Sequence, residues 1–194
     1  MGERFKKAIG VEGRFVDTVW PMIQYCFANI YLGGGGYIIS MYFTVFLTNV
    51  VGMDLQHATF IIMIATVWDG INDPLMGIIT DRTRSKYGRH RRYLLWSIPP
   101  LVIAYTMLWN SFGLDAKEHP TVCVMYYAFA YILYKTAYTM VDVPHTAMLP
   151  TLAPEYNKRT QYTSVSYIFN SVGMIPSYII LLIFLSVFGS SGTL

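Results

Sequence analysis

The sequence predicts an all-α membrane protein with five transmembrane helices. Of its 194 residues, 54% are hydrophobic and 16% aromatic, but only 13% are charged, about half the charged share usual in soluble domains. The mean hydropathy is +0.41, and the polar residues cluster between long uncharged tracts. A soluble domain of this length would need far more charge to cover its surface, so the expected surroundings are a lipid bilayer.

Five apolar tracts are each long enough to cross about 30 Å of hydrocarbon as an α-helix. They lie near residues 20–47, 57–79, 93–112, 121–148 and 162–188. Residues 1–19 then form an N-terminal segment, 20–188 a helix bundle and 189–194 a short tail. Between the first two spans, "TNVVGMD" offers Gly52 to end one helix and Asp54 to cap the next.

Lysine and arginine are distributed unequally between alternate connections. The N-terminal segment and the connections after the second and fourth spans carry four, six and two of them, whereas the other connections together carry one, Lys117. The positive-inside rule therefore predicts a cytoplasmic N-terminus, cytoplasmic 81–92 and 150–161 loops and a non-cytoplasmic tail. We expect an integral protein of the cell (inner) membrane.

The second span contains two aspartates in the stretch "VWDGINDPLMG". Asp69, Asn72 and Asp73 are spaced i, i+3 and i+4, so they share one helix face. Two ionised carboxylates about 6 Å apart repel each other, and either a bound cation or a shared proton relieves that repulsion. Oxygen ligands suit a hard ion such as Na⁺. The alternative is a structural ion pair without a transport role.

The fourth span places Lys135, Thr139 and Asp142 on one face at i, i+4 and i+7. An unpaired ammonium there is costly, so Lys135 must find a carboxylate or lose its proton. Asp69, Asp73 and Asp142 are the candidate partners, and we favour the second helix. The alternative is a lysine that reaches the outer interface, but residue 135 lies about 20 Å along the helix from its start.

The first span contains the run "LGGGGY". Small residues in a span favour close helix packing, and a flexible point is the weaker interpretation. No span has a His-Glu metal motif, a protease arrangement or a redox cysteine pair, since both cysteines lie in apolar tracts as expected of small buried hydrophobes. We therefore expect no enzyme, no cofactor, no metal beyond a monovalent cation and no nucleic-acid partner.

Three stretches resemble a known family. "YFTVFLTNVVGM", "VWDGINDPLMGIITDRTRSKYGRHRRYLLW" and "AYTMVDVPHTAMLP" are similar to segments of the glycoside–pentoside–hexuronide:cation symporters, which are melibiose permease-like members of the major facilitator superfamily. The resemblance runs from about residue 20 to 180. It implies that the five helices form most of the N-terminal six-helix half of that fold, with the remaining helices on the same or a second chain.

The resemblance also implies residue roles. The cation-binding residues would be Asp69, Asn72, Asp73 and Thr139, and the substrate-binding residues Tyr138 and Asp142. The segment "GIITDRTRSKYGRHRR" resembles the superfamily's cytoplasmic latch, with Gly77 allowing close packing and with the charges of Asp81, Arg82 and Arg89. Lys135 stands where the family usually has a small residue.

The sequence departs from the family at three substrate positions. Leu32 and Gly33 replace a Lys-Asp pair on the first helix, Thr146 replaces an aromatic sugar platform, and Ser166 or Tyr167 replaces an arginine on the fifth helix. The ion site is therefore kept, whereas the galactoside site is largely lost. The identity of the solute stays open.

The function that we expect is that of the N-terminal part of a secondary transporter. It would couple a small solute, a glycoside, pentoside or hexuronide, to Na⁺ or H⁺ by alternating access. One alternative is a cation-independent facilitator in which Lys135 serves as an internal ion, and another is a non-transporting structural or regulatory membrane subunit. Five helices do not complete a 3+3 inverted repeat, so we expect the chain alone to carry no solute.

Overall fold

The computed structural model of the chain describes residues 15–83, 91–110, 113–114, 116 and 118–188. Within these ranges all regular structure is helical, which confirms the all-α prediction. The helices are α1 (Phe15–Val45, continued by the π-helical turn Phe46–Val50), α2 (Leu55–Arg82), α3 (Arg91–Trp96), α4 (Ile98–Trp109), α5 (Pro120–Leu152) and α6 (Tyr156–Phe188).

Four of the tracts that were predicted to span coincide with single long helices, and the tract near 93–112 is helical as α3 and α4, which adjoin at Ser97. Ser97 itself keeps helical dihedrals, φ −75° and ψ −20°, and its carbonyl accepts from the backbone N–H of Leu101, so the interruption between the two helices is short. The break falls there because Pro99 and Pro100 follow, and neither can donate the backbone N–H that an α-helix bonds to the carbonyl four residues earlier. The second piece ends at Trp109, and Asn110 is already extended, with φ −119° and ψ 127°.

The connection between α1 and α2 is short and well defined. The backbone N–H of Val51 donates to the carbonyl of Phe46 over 3.1 Å. The two residues are five positions apart, which is the separation of a π turn. Gly52 follows with φ 72°, a left-handed conformation that favours glycine and ends the helix as predicted. Asp54 does occupy the N-cap position of α2, but its carboxylate accepts no capping hydrogen bond from a backbone N–H of the first turn.

Two of the described helices are long and apolar enough to cross a membrane, namely Val19–Val50 and Leu55–Arg82. The second of these exposes a row of large apolar side chains, each about half accessible: Phe60, Met63, Val67, Ile71, Leu75 and Ile78. A continuous apolar face of this length is typical of a helix that contacts lipid. The orientation stays a prediction, and residues 1–14 and 189–194 lie outside the described residues.

The chain forms two compact units, of which the first contains α1 up to Ser40 and the chain from Leu149 onward. In this unit α1 and α6 cross at glycines. A Cβ at Gly33 would lie 2.5 Å from the backbone oxygen of Asn170, and a Cβ at Gly34 would collide with the carbonyl of Gly173. The Ser177 hydroxyl also donates to the Gly34 carbonyl over 3.2 Å. The close-packing interpretation of the glycine run is therefore confirmed.

The second unit comprises Met41–Met148 and has an aromatic core. Phe43, at the end of α1, packs on Tyr131 of α5 with ring centroids 4.7 Å apart. Tyr105 of α4 meets Tyr134 of α5 edge to face at 5.4 Å. These contacts hold α5 against its neighbours, and α5 supplies half of the candidate site. Both cysteines of the chain are buried, as expected.

Candidate cation site

The candidate site lies where α2 and α5 pack side by side in the second unit. Lys135 of α5 contacts Asp69 of α2, and Thr139 contacts Asp73. Each step of four residues along one helix is matched by a step of four along the other, in the same direction. The two helices therefore run parallel at this point, and the sequence spacing predicted on each helix becomes a pair of facing contacts.

The first contact is an ion pair. The Lys135 Nζ lies 2.8 Å from the Asp69 Oδ2, and the two side chains are 23% and 28% exposed. Among the described residues, Asp69 supplies the carboxylate that lies within ion-pair distance of Lys135. The structure thus brings Lys135 to the second helix, and its ammonium does not reach for the outer interface.

The second contact is a hydrogen bond. The Thr139 hydroxyl, in a side chain only 2% exposed, donates to the Asp73 Oδ1 over 2.9 Å. Asp73 itself is exposed in this structure. Asn72 is 8% exposed, and its buried Nδ2 finds no hydrogen-bond partner among the described residues. The two contacts bring together two carboxylates, a hydroxyl and an ammonium, while the amide of Asn72 is placed on the same face of α2 by helical spacing alone. Carboxylates, hydroxyls and amides are groups that can hold a hard cation, and a carboxylate can also take a proton.

The two expected substrate residues lie beside this site on α5. Tyr138 and Asp142 are both partly accessible. The charge of Asp142 is within electrostatic reach of Tyr138, Asp69 and Asp73, and of the buried His145. The carboxylate of Asp142 and the two carboxylates of α2 therefore interact electrostatically. A role for Tyr138 and Asp142 in binding a substrate stays a prediction.

A third contact between α2 and α5, which was not predicted from the sequence, joins Trp68 and Thr136. The Trp68 indole Nε1 donates to the Thr136 hydroxyl over 2.9 Å, and that hydroxyl donates to the Ile132 carbonyl. Trp68 precedes Asp69 and Thr136 follows Lys135, so this bond flanks the ion pair. The bond between Trp68 and Thr136 could have been predicted from the sequence, because each residue is adjacent to one of the two charged residues.

The expected latch residues lie at the end of α2. Asp81 and Arg82 are exposed in its last turn. A Cβ at Gly77 would meet no atom within 4 Å, so no described residue packs closely against this glycine. Arg89 lies outside the described residues. The role of these residues as a cytoplasmic latch stays a prediction.

At the positions where the family binds substrate and this sequence departs from it, the residues are either packed between helices or exposed. Leu32 is 6% exposed, and Gly33 sits at the helix crossing described above. Ser166 lies 3.4 Å from the sulfur of Cys26, while Tyr167 and Thr146 are exposed. The first two positions are thus used for helix packing in this chain.

Comparison with known proteins agrees with these features. A family model described as MFS/sugar transport protein matches residues 25–193. An uncharacterized symporter of Synechocystis is 34% identical over 74% of this chain and 27% of its own length. A putative glycoside/cation symporter of Escherichia coli is 30% identical over 74% of this chain and 30% of its own. A sodium-dependent lysophosphatidylcholine symporter of Danio rerio is 28% identical over 76% of this chain and 27% of its own.

The chain spans less than a third of the length of each of these three relatives. The match to the family model nevertheless extends over most of the chain and includes every residue of the candidate cation site. The expected resemblance to the glycoside–cation symporters is confirmed by this match and by the relatives. The chain belongs to the MFS/sugar transport protein family of the major facilitator superfamily.

Proposed function

We propose that this chain is the N-terminal part of a secondary transporter that moves a sugar or sugar-like solute together with a cation. The observation that carries the proposal is the contact between Asp73 and Thr139, 2.9 Å across α2 and α5, beside Asp69 and Asn72. The relatives support it, because all three are named as symporters.

In this function the acidic face of α2 binds the coupling ion. Asp69 and Asp73 supply negative charge, and Thr139 and Asn72 supply neutral oxygens. Binding removes the repulsion between two carboxylates one helical turn apart and strengthens the contact between α2 and α5. Alternating access then carries the filled site from one side of the membrane to the other, and the helices beyond this chain enclose it.

The solute is proposed to bind on α5 next to the ion. The Asp142 carboxylate accepts hydrogen bonds from sugar hydroxyls, and the ring of Tyr138 offers an apolar surface with a hydroxyl at its tip. Because Asp142 and the ion-site aspartates interact electrostatically, the ion changes the affinity for solute, and the solute changes the affinity for the ion by the same factor. A glycoside, pentoside or hexuronide fits this chemistry, as does the name of the relative from Escherichia coli.

The proposal is tested with Asp73→Asn in the full-length protein, reconstituted into sealed vesicles and given a panel of radiolabelled glycosides. Uptake that is stimulated by Na⁺ or by a pH gradient should fall at least about 10-fold, since the change removes the ion-site charge. Asp54→Asn is the matched control, because Asp54 is exposed on the same helix and its side chain makes no capping bond. Unchanged ion stimulation in Asp73→Asn would contradict the proposal.

A second function is favoured by one observation, the ion pair between Lys135 and Asp69. If a fixed ammonium fully replaces the coupling ion, the protein is a facilitator that lets solute equilibrate without any cation. Uptake in the same vesicles separates the two functions. A facilitator gives uptake that neither Na⁺ nor a pH gradient changes and that stops when the solute concentrations are equal.

A further inference from the structure

We propose that Arg92 and Trp96 of α3 bind the headgroup of an anionic phospholipid, and that an acyl chain of this lipid lies along the exposed face of α4. Neither residue belongs to the candidate cation site. The two side chains form a cationic surface at one end of an apolar strip, and the strip is as long as one leaflet of a bilayer is deep.

The headgroup part of this surface is an arginine stacked on a tryptophan. The central carbon of the Arg92 guanidinium lies 5.2 Å from the centroid of the Trp96 ring, which is a cation–π distance. Both side chains are exposed. An arginine held against a ring face keeps the N–H donors at the edge of its plane available, and these donors match two oxygens of a phosphate. Tryptophan in turn favours the boundary between hydrocarbon and headgroups.

The charge around this pair is positive. Arg82 is exposed in the last turn of α2, and the hydroxyl of the next residue, Thr83, is bonded to the hydroxyl of Tyr93. This bond joins the end of α2 to the start of α3, so Arg82 and Arg92 lie at the same end of the second unit. Neither α3 nor α4 contains an acidic residue, and Asp81 offsets only one of the positive charges. An anionic headgroup therefore complements this end.

An apolar strip continues from Arg92 along α3 and α4. Its exposed side chains follow one another at helical spacing: Leu95, Trp96, Pro99, Val102 and Ile103. Ser97 keeps helical dihedrals between the two helices, so this spacing continues from α3 into α4. The opposite side is packed, since Ala104 and Leu108 are both 0% exposed. The strip is thus one face of a helix whose other face is part of the protein core.

The length of the strip fits a lipid. At 1.5 Å of rise per residue, Ile103 lies about 16 Å along the axis from Arg92, and one leaflet contributes about 15 Å of hydrocarbon. A surface with a positive charge at one end and an apolar strip of this length has the polarity of a phospholipid. A free phosphate would use Arg92 and leave the strip uncovered. The predicted orientation puts Arg92 at the cytoplasmic leaflet, whose anionic lipids attract basic residues beside a span.

The test places a photo-crosslinking amino acid at Val102 of the full-length protein, in vesicles of equal parts phosphatidylglycerol and phosphatidylcholine. Mass spectrometry of the crosslinked peptide should show phosphatidylglycerol captured at least about 10-fold more than phosphatidylcholine, as a charged hydrogen bond supports. Adding Arg92→Gln should bring the ratio close to one, and adding Trp96→Ala should lower it. Lys158→Gln is the matched control, an exposed lysine paired with Glu155, and should leave the ratio unchanged.

Thermal unfolding of the protein without the crosslinker checks that Arg92→Gln folds. In phosphatidylcholine its midpoint should equal that of the unmodified protein, whereas phosphatidylglycerol should raise the midpoint of the unmodified protein alone.

Three results would overturn the proposal. The first is equal capture of the two lipids by the unmodified protein, or a preference that survives both Arg92→Gln and Trp96→Ala. The second is a preference that millimolar inorganic phosphate abolishes, since this would assign Arg92 to a free anion. The third is capture of a peptide from another helix or from a second copy of the chain in place of lipid, since the strip would then be covered by protein.

Discussion

Replacing Gly33 by leucine should separate α1 from α6 and destabilise the protein. Even the Cβ of the new side chain would lie 2.5 Å from the backbone oxygen of Asn170. Favourable carbon–oxygen contacts begin at about 3.3 Å, so the two helices must move apart by about 0.8 Å. A backbone atom cannot turn aside as a side chain can, and the remaining carbons of leucine add to the overlap. Overpacking of this kind costs about 2–4 kcal/mol, at or above the usual range.

The matched control is Gly70→Leu on α2, where a Cβ would meet no atom within 4 Å. Both changes replace a mid-helix glycine by a good helix former, which by itself stabilises a helix by about 1 kcal/mol. The difference between the two variants therefore isolates the packing of Gly33. Thermal unfolding in detergent, followed by tryptophan fluorescence, should give a midpoint roughly 10 °C lower for Gly33→Leu than for Gly70→Leu. Equal midpoints would refute the close crossing of α1 and α6.

Three further outcomes follow from the site. Asp142→Asn should weaken solute binding at least about 10-fold, because a charged hydrogen-bond acceptor is lost, whereas ion binding at Asp73 should be retained. Unchanged solute affinity in a binding assay would count against a substrate role for Asp142. Asp81→Ala should slow uptake with little change in ion affinity, and a normal uptake rate would mean that the charges near the end of α2 serve topology alone. Trp68→Phe should lower the unfolding free energy by about 1 kcal/mol through loss of the bond to Thr136, and Thr136→Val should then add little to it, as a double-mutant cycle measures.

The helices were predictable from the sequence because the bilayer imposes a simple requirement. A tract of about 20 apolar residues has few alternatives to a helix in lipid. Hydropathy does not predict the details that local backbone chemistry decides. The short interruption between α3 and α4 at Ser97 follows from Pro99 and Pro100, which lack a backbone N–H. Asp54 stands at the predicted N-cap, yet its side chain makes no capping bond there.

The candidate site was predictable along each helix and only partly across helices. The fixed rise and rotation of an α-helix place Asp69 and Asp73 on one face, and likewise Lys135 and Thr139. Which residue of α2 faces which residue of α5 depends on the packing of the two helices, and spacing within one helix carries no information about it. The cost of an unpaired ammonium limited the partners of Lys135 to three carboxylates. It could not indicate that Trp68 bonds to Thr136.

The ion pair between Asp69 and Lys135 also bears on how the chain is inserted during synthesis. A lone aspartate or lysine at the centre of a spanning helix opposes insertion by about 2.5–3.5 kcal/mol. The two partners are 66 residues apart, so α2 leaves the ribosome well before α5, and its carboxylate waits for the lysine. When α5 arrives, each helix makes the other easier to keep in lipid. Removing either charge therefore leaves the other charge unpaired in its helix and makes insertion of that helix less favourable. We expect the amount of inserted protein to fall, independently of any effect on transport.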